Sequence, residues 1–194
     1  MTDSASELAK LGGLLFLLSF WHFIVDWGFQ SHKEAMNKST DHKVRAKHCT
    51  VYLVGMWPLV YLASSDATTL ITAAIVLWLS HFLIDTYIPV YLWAKYLRRY
   101  PTFWGPEGTN TIDIQSKRPH VETEIDKFKA LFKTPIGLIL AISMDQAFHI
   151  LYLVPIASAL TWPEYATTWN LVAILMTTLL VVMVTSGVKE LKAG

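Results

Sequence analysis

Three long stretches of this chain carry no Lys or Arg: Leu11 to Gln30, Val51 to Ala94 and Pro135 to Val188. A helix needs about 20 mostly apolar residues to cross a hydrocarbon core. Divided at their turns, the stretches give five such segments, at about 11–30, 49–64, 68–92, 135–160 and 170–186. Pro58, Pro89 and Pro155 fall inside them, and lipid-embedded helices tolerate Pro because neighbouring helices re-satisfy the freed backbone groups. Charged residues are only 16% of the chain, against about 25% in soluble domains. Five nearly uncharged helices do not fit a small water-soluble globule. The expectation is one domain, all-α: a polytopic membrane helix bundle of about five transmembrane helices. The net charge of +1 provides no basic field for nucleic acid. A single cysteine, Cys49, excludes an internal disulfide framework and a cysteine-only zinc site, and reads as an inert thiol.

Orientation follows from the basic residues. Fifteen of the sixteen Lys and Arg lie in the loops 31–48 and 95–134 or after the fifth segment; the turns near 65–68 and 159–169 have none. The positive-inside rule makes the basic side cytoplasmic, with the amino terminus outside and the carboxyl terminus inside. Trp162, Tyr165 and Trp169 then mark the outer interface, and Trp93, Tyr96, Tyr100 and Trp104 the inner one. Before Leu11 stand Asp3, Glu7 and only Lys10, which is no signal-peptide n-region, so the first segment is expected to stay as a helix. Within 95–134, Val121, Ile125, Phe128, Leu131 and Phe132 recur at helical spacing. They predict an amphipathic cytoplasmic or interfacial helix. His32 and His42, in the first basic loop, read as solvated.

Only three acidic residues lie within the five segments, Asp26, Asp85 and Asp145, and each has a histidine four positions away: His22, His81 and His149. Residues four apart share a helix face. An ionisable group at the centre of a spanning helix costs about 2.5–3.5 kcal/mol, so these six are expected to face one another or water. Segments one and three read His then Asp, whereas segment four, running the other way, reads Asp then His. All three carboxylates therefore lie toward the cytoplasm, with imidazoles about 6 Å deeper. Imidazole with carboxylate suits zinc, manganese or iron. His22, Asp26, His81, Asp85, Asp145 and His149 are the candidate ligands, enough for one ion or for two ions sharing bridging carboxylates. Gln30, Gln146 and His48 are candidate catalytic residues, the amides to orient water or a substrate oxygen and His48 as a base or further ligand. Polar glue between helices and a proton or ion path use the same residue types.

At these residues the chain resembles a bacterial and bacteriophage membrane-protein family, the domain-of-unknown-function family 3307. Its ordered motifs are H-x3-D-x3-Q, a following Asn-Lys, a His with Tyr four residues on, H-x3-D, and D-Q-x2-H. Here they are His22, Asp26 and Gln30; Asn37 and Lys38; His48 and Tyr52; His81 and Asp85; and Asp145, Gln146 and His149. The family pattern places a Lys soon after the second H-x3-D. This chain instead has Thr86, Tyr87 and Pro89, with Lys95 the nearest. The resemblance implies a grouping and a loose likeness to membrane-bound metal-dependent hydrolases, not an activity. The leading expectation is a bacterial inner-membrane, metal-dependent hydrolase acting on a lipid-like ester or phosphoester. The alternatives are a proton- or divalent-ion-coupled transporter or channel using the same residues, and a non-enzymatic membrane interaction protein.

Overall fold

A computed structural model describes residues 4–93, 96 and 135–193. Among these residues the chain is helical and contains no strand. In chain order the helices are α1 (Ser4–Gly28), α2 (His32–Asn37), α3 (His42–Ala63), α4 (Ala67–Ile84), α5 (Ile88–Leu92), α6 (Pro135–Thr161) and α7 (Ala166–Ala193), with a 3-10 turn at Pro163–Tyr165 before α7. Apart from Tyr96, the expected loop 95–134, with its interfacial helix from Val121 and the aromatics Tyr100 and Trp104, lies outside the described residues.

Four stretches are long and apolar enough to cross a membrane: Ser4–Gly28, Ala67–Ile84, Gly137–Thr161 and Pro163–Lys189. α3 is not one of them, yet it packs between α1 and α4 in the same bundle. The outward faces are greasy. Phe16, Phe20, Val54, Leu62, Ile71, Ile75, Ile139, Leu171, Leu175, Leu179 and Val182 are all more than half exposed. An apolar belt of that extent on a water-soluble monomer would be an aggregation liability, whereas in lipid it is ordinary.

Helix boundaries follow from local chemistry. Asp41 caps α3 by accepting from the Lys43 and Val44 amides at 2.8 and 3.3 Å. The helix therefore starts at His42, seven residues before the apolar run at Cys49. Asp66 caps α4 through the Thr69 amide at 2.7 Å. The third expected segment, 68–92, is two helices in the structure. Pro89 would clash with the carbonyl four residues back in a continuous helix, so α4 stops at Ile84 and the chain turns through Tyr87 at φ 59°. That left-handed backbone is costly for a bulky residue. It leaves Asp85 as the C-cap of α4, turned into the bundle and wholly buried.

The core is interhelical. Leu18, Val25, Met56, Val60, Val76, Leu77, Ile84 and Leu153 are almost fully buried. Gly55 lets α3 approach α1 closely: a Cβ there would stand 2.5 Å from Val25 Cγ1, and the Gly55 carbonyl accepts from Trp21 Nε1 at 2.8 Å. Tyr152 donates to the Met176 carbonyl at 2.8 Å, tying α6 to α7, and Asn170 donates to Thr69 at 3.3 Å, tying α7 to α4.

Candidate metal centre

Four helices and one short segment deliver polar side chains to a single buried point. α1 supplies His22 and Asp26, α3 His48 and Tyr52, α4 and its cap His81 and Asp85, and α6 Asp145, Gln146 and His149. All of them are less than a tenth exposed. The helical spacing of four does what it should: on each helix the acid and the imidazole share the inward face. The imidazoles of His22, His81 and His149 cluster with ring centroids 4.3, 5.2 and 6.0 Å apart.

One side of this cage is a closed hydrogen-bond network. His22 Nδ1 lies 2.9 Å from the Tyr52 hydroxyl, and His22 Nε2 lies 3.0 Å from Gln146 Oε1. Because the amide oxygen can only accept, His22 carries its proton on Nε2 and takes the Tyr52 O–H on Nδ1. The Gln146 amide then donates to Asp26 Oδ2 at 3.3 Å and to Asp145 Oδ2 at 3.2 Å. Both ring nitrogens of His22 are thus engaged, and it acts on the cage through Gln146.

The other side is crowded with lone pairs. His48 Nε2 lies 2.9 Å from Asp26 Oδ1, 3.0 Å from His81 Nε2 and 3.6 Å from Asp85 Oδ2. His81 Nε2 lies 3.3 Å from Asp26 Oδ1 and 3.5 Å from Asp85 Oδ2. Four ligand atoms around a tetrahedral zinc at about 2.0–2.1 Å would stand about 3.3–3.4 Å apart. The spacings among Asp26 Oδ1, His48 Nε2 and His81 Nε2, 2.9–3.3 Å, lie close to that value, so this trio can hold a cation, with Asp85 Oδ2 3.5–3.6 Å from both imidazoles. Asp26, His48 and His81 form one geometrically suitable trio, and Cys49, His81 and Asp85 a second that shares His81.

Orphaned atoms point the same way. Among the described residues Asp85 Oδ2, Asp145 Oδ1 and His149 Nε2 are buried without a hydrogen-bond partner. His149 Nδ1 lies 2.9 Å from the Asp145 carbonyl oxygen, so it must carry the proton, which leaves a bare lone pair on Nε2 facing Asp85 Oδ1 at 3.9 Å. Asp85 also sits at the negative end of the α4 dipole. A carboxylate there calls for a cation.

The structure supplies one that composition did not single out. Lys38, only 5% exposed, reaches in from the end of α2. Its Nζ lies 3.0 Å from Asp85 Oδ1, 3.4 Å from Asp26 Oδ1 and 3.3 Å from His48 Nε2. The contact with Asp85 is the shortest of the three, an ion pair between buried groups. Burial works against the ammonium, but the Asp85 and Asp26 carboxylates outweigh it and hold Lys38 above the ordinary lysine range. Lys38 looked like one more member of a solvated basic loop. Its one signal was the Asn37-Lys38 element of the family motif, as Tyr52 was signalled only by the motif that pairs it with His48.

Gln30 stands apart: its Oε1 is buried without a partner, and none of its contacts with the cage is seen among the described residues. Neither curated proteins nor solved structures gave a match to the chain. Residues 14–103, which run from α1 through α5 and hold the site from His22 to Asp85 while leaving Asp145, Gln146 and His149 beyond, match the family described as Protein of unknown function (DUF3307), the one its motif order resembles.

Proposed function

We propose that the cage binds a divalent cation, zinc, manganese or iron, and that the protein hydrolyses a membrane-associated ester or phosphoester with it. The observation that carries this reading is the convergence of Asp26 Oδ1, His48 Nε2 and His81 Nε2 at 2.9–3.3 Å spacings, with Asp85 Oδ2 3.5–3.6 Å from both imidazoles. When bound, the ion would supply a water of lowered pKa and polarise the phosphoryl or acyl oxygen. His149 Nε2, with its lone pair free, would take the proton of the attacking water. The water oxygen would form the new bond to phosphorus or carbonyl carbon while the alkoxide leaves with its electron pair and takes back the proton held by His149. Gln146, locked by His22, would hold Asp26 and Asp145 in place. The apolar belt around the site supports a lipid-like substrate class. The basic residues near the cage support a cytoplasm-facing site in a bacterial inner membrane, with the amino terminus outside.

The test is elemental analysis of detergent-purified protein, wild type against His81→Ala, followed by assay on phospholipid and acyl-ester substrates. Bound metal in the wild type, its loss in His81→Ala and parallel loss of hydrolysis are expected. Absence of metal from both would remove the proposal. A second reading, proton- or ion-coupled transport, is favoured by the continuous path Tyr52–His22–Gln146–Asp145 through α3, α1 and α6. Ion flux into proteoliposomes that disappears in Asp85→Asn, with no hydrolysed product, would establish it instead.

A further inference from the structure

We infer that the cage is built for one divalent ion and not two, with the Lys38 ammonium as its permanent second positive charge. The inference rests on the metal-binding reading and deepens it by fixing the stoichiometry and giving Lys38 a role.

In a two-ion centre a bridging carboxylate gives one oxygen to each ion. Asp85 is placed to bridge: Oδ2 faces His48 and His81 at 3.6 and 3.5 Å. Its Oδ1 faces the other way, toward His149 Nε2 at 3.9 Å. A second ion would have to lie on the Oδ1 side, and Lys38 Nζ stands there, 3.0 Å away.

The lysine is held in place. Arg45 Nε donates to the carbonyl of Lys38 at 2.7 Å, and its Nη2 donates to that of Ser39 at 3.1 Å. The Arg45 guanidinium also covers the Phe82 ring of α4, 4.9 Å from its centroid. The Lys47–Glu34 ion pair, at 2.8 Å, straps α2 to α3. An ammonium fixed beside the ion would steady a phosphoryl or acyl oxygen bound there, the task of the second ion in two-ion hydrolases.

The experiment uses the full chain in lipid nanodiscs, stripped with chelator and titrated with Zn2+ or Mn2+, with bound ions counted per chain. Wild type and Lys38→Arg should each hold one. Lys38→Met should hold two, the first bound at least about tenfold more tightly because the like charge is gone. Two ions in the wild type overturn the inference. So does an unchanged count and affinity in Lys38→Met, or loss of its ion with wild-type thermal stability. Should Lys38→Met fail to fold, the wild-type and Lys38→Arg counts decide: one supports, two overturns. No ion in any of the three proteins would instead refute the metal reading itself.

Discussion

The two sides of the cage use the same residue types to opposite effect. On the α6 side Tyr52, His22 and Gln146 form a chain in which each of these donors meets an acceptor, and His22 has no free nitrogen. On the α4 side Asp26 Oδ1, His48 Nε2 and His81 Nε2 lie within 2.9–3.3 Å of one another and Asp85 Oδ2 lies 3.5–3.6 Å from both imidazoles, while Asp85 Oδ2 and His149 Nε2 lack hydrogen-bond partners. Buried polar atoms are costly when unsatisfied. Lys38 donates to Asp26 Oδ1 and His48 Nε2 on that side, yet Asp85 Oδ2 and His149 Nε2 stay unsatisfied, as a cation site would leave them. The difference teaches that spacing along a helix marks a residue as inward-facing, but the partner of its second nitrogen decides whether it is scaffold or ligand.

The sharpest way to break this comparison is to remove one histidine from each side. His81→Ala should lower divalent-ion affinity by more than about a hundredfold, beyond the range of outer-shell changes, with activity falling in step. His22→Ala should leave the ion bound with affinity reduced by only about ten- to a hundredfold, the range expected when an outer-shell partner is lost. Equal losses in a calorimetric titration of the two variants would erase the distinction between the sides.

Much of this was legible in the sequence. The uncharged stretches announced the all-helical, membrane-compatible bundle, and the fourfold spacing of His and Asp announced which faces turn inward. Two things were not readable. The break at Asp85–Tyr87 was hidden because Pro89 inside an apolar run reads as a tolerated kink, and only the observed left-handed Tyr87 shows the helix ending there. The role of Lys38 was hidden because a lysine in a basic loop looks solvated; its burial depends on Arg45 seizing its carbonyl from seven residues away, a tertiary contact with no periodicity. His48 presented a related difficulty. At the edge of an apolar segment it had no acid four positions away, so its place at the centre of the donor set depends on α3 beginning at Asp41.

A smaller perturbation sharpens the scaffold side. Tyr52→Phe keeps the ring that stacks on His81 at 3.9 Å but removes the hydroxyl that satisfies His22 Nδ1. Leaving a buried acceptor unpaired should destabilise the protein by about 1–3 kcal/mol. Ion affinity should fall by no more than about tenfold, the lower end of the outer-shell range. Thermal unfolding beside an ion titration separates the two effects. A collapse in affinity with unchanged stability would mean that Tyr52 belongs to the ligand side.

The smallest effect lies at the strap that delivers Lys38. Glu34 accepts from the Lys47 ammonium at 2.8 Å and from the Ser31 amide and hydroxyl, each at 2.8 Å, in a capping box completed by Ser31 accepting from the Glu34 amide. These bonds, Lys47 foremost, pull the Glu34 carboxyl down to about 2. A carboxylate whose pKa is lower folded than unfolded adds stability that is complete above its unfolded value, near 4.3, and is lost as pH falls toward about 2. Because the pair is largely in water, the gain is at most about 1 kcal/mol. The amide resonance of Ser31, followed by NMR through acidification, should therefore titrate with a midpoint below the ordinary glutamate value. A midpoint near 4.3, the ordinary glutamate value, would mean that the box is open in solution. The strap would then rest on Arg45 alone, and Glu34→Gln would leave the position of Lys38, and the ion count, unchanged.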